Sequence, residues 1–447
     1  MDSGNNVPIM SISFQKRFSG VAGRPTINFS HAKMILLEAF FMQVTVILAF
    51  AIVAILQAFG DLFSAKTKGK LPSIFIACVL FLVGFWTVLP LRIPLPSGAT
   101  VSLVEMAGIS GGLFSMSLAI LVTNMGTLMS IRELIAQWKT IVIGVIACIL
   151  AVAVVYGLGT VLFEKDHGVV VAPVLVGGLA AVNIMMTASN AIGRSDLATI
   201  AILIFSLQGL VGYPLMNFFL RRQAKNVLAD FNAGKVKLLA SGAQTNVAPP
   251  KWKIIPDLPA KYQTPMVLIG KLAFVTFLAE CASKATGGAV NTLVFCLILG
   301  ILATEIGFLE KKLLSKAETM GLLMIILMGF VFGGLATATP KVILSVFAPL
   351  TVLFFLGTGV LVLVGVVIGK LFFKETWAMS GAIVINCLCG FPPNFVLTVE
   401  ASKNMSSNQQ EYDILMQEML PKVLVGGFAT VTVTSVIIAD IFTRFIG

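Results

Sequence analysis

Charge is scarce in this sequence. Asp, Glu, Lys and Arg make up only 11% of its 447 residues, against roughly 25% in an ordinary soluble domain. With 57% hydrophobic residues and a mean hydropathy of +0.98, the chain is excluded from the soluble class. Histidine is scarcer still: there are two, His31 and His167, both outside the apolar runs. Neither a His-Glu-x-x-His nor a Gly-x-Gly-Asp string occurs, so the sequence carries no catalytic constellation of an intramembrane enzyme. The six cysteines, Cys78, Cys148, Cys281, Cys296, Cys387 and Cys389, all fall in apolar or interrupted sequence, where a thiol packs as a small hydrophobe. That argues against a disulfide framework. Cys387 and Cys389 have no histidine nearby and offer too few ligands for zinc. Residues 1–33 lack the apolar core and small-residue cleavage site of a signal peptide, so this tail is expected to stay attached.

What the chain does have is long apolar runs separated by short polar punctuation, the signature of a helix bundle rather than an outer-membrane barrel. The expected fold is an all-α polytopic membrane protein. Candidate spans are 34–60, 72–90, 104–128, 140–162, 197–220, 265–281, 291–309, 321–338, 342–372 and 422–445. Two further apolar segments, 174–190 and 382–404, are too rich in glycine, proline and asparagine for ordinary spans. They read as re-entrant hairpins, which keep irregular backbone away from lipid. The chain then divides into a tail (1–33), a first repeat (34–220), a linker (221–262) and a second repeat (263–447). Most Lys and Arg fall on the faces shared with the basic, proline-containing linker, which places that linker in the cytoplasm of a multi-pass cell-membrane protein. The basic N-terminal tail runs against this bias. The net charge of +11 is thus a topology signal with some attraction to anionic headgroups, and implies no nucleic-acid partner.

The halves repeat each other. Gly177, Gly178, Asn183 and the run Ala188-Ser189-Asn190 precede a span containing Gln208, Leu210, Val211 and Gly212. Cys389, Gly390, Asn394 and Ala401-Ser402-Lys403-Asn404 precede one containing Lys422, Leu424, Val425 and Gly426. Each half holds five spans, an odd number, so the repeats are inverted in the membrane and their hairpin tips meet near its middle. Paired broken helices of this kind point to a secondary transporter with its substrate site at the repeat interface.

Gly177, Gly178 and Gly390 permit close approach of backbone to a ligand, and Pro392 and Pro393 force a true break ahead of Asn394. Half-helix N-termini suit a carboxylate, and half-helix C-termini a sodium ion. Substrate-binding candidates are Gly177, Gly178, Asn183, Gly390, Asn394 and Lys422; ion-binding candidates are Asn183, Asn394, Thr187 and Thr398. The competing reading is that small residues and asparagines serve helix packing. Lys422 follows Pro421 at the start of the last predicted span, where an ammonium is costly and implies an anionic partner, or else snorkels to the surface. Gln208 is its neutral counterpart. Lys271 and Glu280 lie nine positions apart, on nearly opposite helix faces, and are not expected to pair. Arg194 and Asp196 are placed at the outer lip of the first hairpin.

On its Asn124-Met125-Gly126-Thr127 run and its Gly177-Gly178 hairpin, the stretch 112–222 resembles the first half of the sodium-coupled 2-hydroxycarboxylate transporters. Residues 303–441 resemble their second half, and Cys389-Gly390-Phe391 is also similar to the hairpin of bacterial sodium/glutamate symporters. The resemblance implies a homodimer working as an elevator, with a scaffold domain and a transport domain that carries both hairpins. It also implies substrate contacts from Gly178, Asn183 and Lys422. The tips depart from both families: Gly177-Gly178-Leu179-Ala180-Ala181 and Cys389-Gly390-Phe391-Pro392-Pro393 replace the glycine-rich carboxylate motifs, and the Gly-Gly-His tip of the glutamate family is missing. The expectation is a sodium-coupled symporter of a small organic anion, glutamate-like or a di- or tricarboxylate, without a cofactor and without enzymatic activity. Alternatives are a proton-linked or uncoupled anion transporter and a cation/proton antiporter.

Overall fold

The computed structural model describes residues 44–90, 92–95, 99–109, 111–128, 131–236, 253–256, 258–287, 292–337, 340 and 347–446. The N-terminal tail, the start of the first predicted span and the middle of the linker lie outside them.

The described chain is mostly helical. In order, the helices are α1 (Val46–Lys66), α2 (Ser73–Thr87), α3 (Leu103–Met106), α4 (Gly111–Gly126), α5 (Ile131–Ala136), α6 (Trp138–Leu162), α7 (Lys165–Leu175), α8 (Leu179–Ala191) and α9 (Ser195–Asn232). After the linker come α10 (Pro265–Ala285), α11 (Thr292–Glu305), α12 (Leu313–Lys316), α13 (Met320–Gly333), α14 (Phe347–Phe373), α15 (Trp377–Cys389), α16 (Pro393–Met405) and α17 (Gln409–Gly427). A π-helical stretch, Phe428–Thr434, leads into α18 (Ser435–Thr443). Among the described residues six helices are long and apolar enough to cross a membrane, and the protein is membrane-embedded. Side chains such as Ile47 (81% exposed), Val161 (78%) and Phe372 (73%) are outward-facing groups that water would not favour and acyl chains would.

Local chemistry sets the helix starts. Thr45, Thr264, Thr376 and Asn408 each accept a hydrogen bond from a first-turn amide of α1, α10, α15 and α17, and Pro265 takes the first position of α10, where its missing N–H costs nothing. Several boundaries differ from the sequence reading, two of them through packing at one place. The span expected at 197–220 continues to Asn232, because Ala224 and Val227 keep an apolar stripe that packs on Ile414, Leu415 and Met419. The last span, expected from Lys422, belongs to a helix that begins at Gln409 and carries Pro421 in its interior. Its polar first turns lowered the apparent hydropathy, yet Ile414, Leu415 and Met419 bury them against α9.

From Thr45 onward the chain is one compact unit. Its spine is α9, which packs against α7, α8, α15, α16 and α17. Close helix crossings depend on glycine. A Cβ on Gly159 would stand 2.6 Å from Gly168 Cα, joining α6 to α7, and one on Gly300 would stand 2.3 Å from the Thr123 carbonyl oxygen, joining α11 to α4.

Candidate functional site

Two helix breaks converge on one cavity. The first lies between α7 and α8, at Val176–Gly178; the second lies between α15 and α16, at Gly390–Pro392. Val431, in the π-helical stretch, sits against both: a Cβ on Gly178 would meet its Cγ1 at 2.7 Å and one on Gly390 at 3.6 Å. A cavity of about 550 Å³ opens here, lined by Gly178, Asn183, Gln208, Tyr213, Val431 and residues 387–393, and also by Glu105, Phe114 and Phe330.

The breaks differ chemically. At the first, Gly178 caps α8 with no side-chain bond, and the first intrahelical bond runs from Val182 N–H to its carbonyl at 3.2 Å. The amides ahead of Val182 therefore have no intrahelical acceptor and leave a positive helix end at the cavity. Gln208, 5% exposed, donates from Nε2 to the Gly177 carbonyl at 3.4 Å. Its Oε1 is buried without a partner.

At the second break, Gly390 has φ +63°, the left-handed region where a side chain is strained. Its N–H bonds to Asn386 O at 2.8 Å and its carbonyl accepts Asn394 N–H at 3.1 Å. Pro392 and Pro393 have no N–H, and Phe395 N–H returns to Pro392 O. The start of α16 thus presents fewer free donors than the start of α8.

The remaining candidates are distributed as follows. Asn183 is exposed to the cavity, whereas Thr187 is exposed but not part of its lining. Gly177 is packed tightly, a Cβ there meeting Ala181 Cβ at 2.5 Å. Asn394 is fully buried behind the tip: its Nδ2 donates to Asn386 Oδ1 at 2.9 Å, and Asn386 in turn donates to Val423 O at 3.1 Å. Asn394 Oδ1 has no partner, and Thr398 Oγ1 donates to Asn394 O. The network ties both arms of the second break to α17.

Lys422 is elsewhere. Its Nζ donates to Glu375 Oε2 at 2.8 Å, both side chains being about four-fifths buried. Glu375 precedes α15, so the pair lies roughly 20 Å along that helix from Gly390. The expected result of Lys422→Ala is a loss of about 1–3 kcal/mol of stability, since a largely buried carboxylate loses its partner. Exchanging the two charges in a Glu375→Lys, Lys422→Glu protein should restore much of it. Thermal unfolding of the three proteins in detergent checks this; full stability of the single variant would remove the ion pair from the account.

The lip of the first helix pair is built on Arg194, whose guanidinium bonds Asp196 at 2.8 Å, Glu164 at 3.0 Å and Asp166 at 3.2 Å. Asp196 first, then Glu164, raise its pKa above the ordinary arginine value. Lys271 pairs with Glu310 and Glu280 with Lys284. Asn386, Glu375 and Glu310 carried no signal in the sequence: each is one polar residue beside a helix end or inside an apolar run, with its partner distant along the chain.

Comparison with known proteins adds no relative. No family model matches the chain, and no curated protein is significantly similar to it.

Proposed function

We propose that the chain is a secondary active transporter that moves a small, carboxylate-bearing solute across the cell membrane through the cavity between the two helix breaks. The observation that carries this reading is that the breaks at Val176–Gly178 and Gly390–Pro392 flank one residue, Val431, and line one cavity. The arms α7, α8, α15 and α16 have 11 to 13 residues, a rise of roughly 16–20 Å, short of the ~30 Å hydrocarbon core. Arms that enter and return, as re-entrant hairpins of an inverted repeat, are the arrangement that keeps their ends out of lipid. In this reading the cytoplasmic linker joins the repeats, and two copies of the chain work as an elevator.

The free amides of α8 support binding of one carboxylate. Glu105 is the only charged side chain among the described lining residues, and Lys422 is engaged by Glu375. Di- and tricarboxylates are therefore disfavoured within the anion class. The unpartnered oxygen of Asn394 supports a coupling cation, sodium by preference, because carbonyl oxygens are hard ligands that an imidazole-free site can offer. A cation/proton antiporter has less support, since the lining holds a single carboxylate.

The test is uptake of labelled amino acids and carboxylates into proteoliposomes, with and without an inward sodium gradient. Concentrative uptake that needs the gradient, and falls about tenfold or more in Asn183→Ala, is the expected result. Uptake of no solute under any sodium, proton or potassium gradient would sink the transporter reading.

A further inference from the structure

We propose that the solute is an α-amino acid with an apolar side chain, leucine- or phenylalanine-like. This deepens the transporter reading and rests on its choice of cavity. Three features of the cavity wall divide the work.

The free amides opening α8 at Gly178 face a carboxylate, which accepts hydrogen bonds only and carries the charge a helix N-terminus favours. Beside them, the Gly177 carbonyl fixes the orientation of the Gln208 amide by accepting from Nε2. Gln208 Oε1 is left unpartnered on a side chain that lines the cavity and is 5% exposed. A buried acceptor without a donor is a rare and costly arrangement; an ammonium supplies the donor. Donors for the carboxylate and an acceptor for the ammonium thus sit at one helix break, the donors from Gly178 onward and the acceptor on Gln208, whose amide is bonded to the neighbouring Gly177. That matches the short separation of the two groups in an α-amino acid.

Most of the remaining wall is apolar. Phe114 and Phe330 stack with ring centroids 4.1 Å apart, and Phe205, Met186 and Leu118 join them. A second carboxylate, as in glutamate or citrate, would be buried among these groups with no cation to meet it, because Glu105 is the only charged side chain in the described lining. An apolar side chain is stabilised there instead. The cavity of about 550 Å³ is of the size that encloses small-molecule ligands.

The experiment measures stabilisation of the full chain in detergent by phenylalanine, leucine, glutamate, citrate, 3-phenylpropanoate, which lacks the amine, and phenethylamine, which lacks the carboxylate. Phenylalanine or leucine should raise the melting temperature, and each truncated analogue should bind at least about tenfold more weakly. Gln208→Met should cost phenylalanine about tenfold in affinity while leaving 3-phenylpropanoate unchanged, a difference that a merely structural role would not produce. Should that variant fail to fold, the analogue series on the native chain decides. Stabilisation by glutamate or citrate in preference to phenylalanine, equal binding of 3-phenylpropanoate, or no shift with any amino acid overturns the proposal. Binding of phenylalanine without carriage under any gradient would instead sink the transporter reading and leave the site standing.

Discussion

Gly300→Ala should lower stability by about 3 kcal/mol, the upper end of ordinary overpacking costs, and Gly126→Ala nearly as much. At the crossing of α4 and α11 the two backbones touch. A Cβ on Gly300 would lie 2.3 Å from Thr123 O and 3.3 Å from Gly126 Cα; one on Gly126 would lie 2.5 Å from Ile301 N. These obstacles are main-chain atoms of packed helices, so no side chain can rotate away, and the helices must separate. Around them Val122, Met125, Cys296, Leu297 and Ile301 form a buried cluster, which such a separation would loosen. Gly157→Ala and Gly359→Ala are the controls, because nothing lies within 4 Å of a Cβ at either position. Both lie within helices, α6 and α14, where alanine is favoured over glycine by about 0.5–1 kcal/mol. Thermal unfolding in detergent should therefore shift in opposite directions for the two sets. Equal behaviour of Gly300→Ala and Gly157→Ala would show that the crossing is not as close as described.

The second large effect concerns Lys271, whose Nζ lies 2.6 Å from Glu310 Oε1, with side chains 18% and 6% exposed. The ammonium also stands 5.3 Å from the centre of the Phe308 ring. Glu310 Oε2 is already without a partner, so Lys271→Met leaves a whole carboxylate in an apolar setting. The expected loss is about 3–5 kcal/mol, the usual result of orphaning one member of a buried pair. The double variant Lys271→Met, Glu310→Leu should recover most of it, since replacing both partners removes the desolvated charge as well as the attraction. Chemical or thermal unfolding of the two singles and the double closes the cycle. A double variant as unstable as the sum of its singles would mean that the two residues do not act as a pair.

The site was legible in the sequence to different depths. Gly178, Asn183 and Gly390 could be picked out because glycine and proline break helices through local backbone geometry. The position of a break is then nearly a property of the residues at it. Lys422 looked available for a ligand because a lone lysine in apolar sequence has no visible partner; Glu375, well upstream on another element, claims it. The asymmetry of the two tips was half visible: Pro392 and Pro393 announce the missing donors of α16, but the return of the remaining amides to Gly390 and Pro392 depends on how the turn closes. Gln208 was marked by its place in the expected repeat, whereas its free Oε1 follows from the contact of Nε2 with Gly177, across the packing of α9 on the first break.

By itself, then, the sequence determined that this protein is helical and membrane-embedded and where its helices break. These properties come from scarcity of charge, from runs of apolar residues and from glycine and proline acting on their immediate neighbours. Only the tertiary structure decided that both breaks flank Val431 at one cavity, that this cavity holds a single charged side chain among its described lining, and that Lys422 and Lys271 are each held by an acid distant along the chain. Those outcomes depend on which distant residues a packed helix brings within hydrogen-bonding distance, and the spacing along the chain carries no record of it.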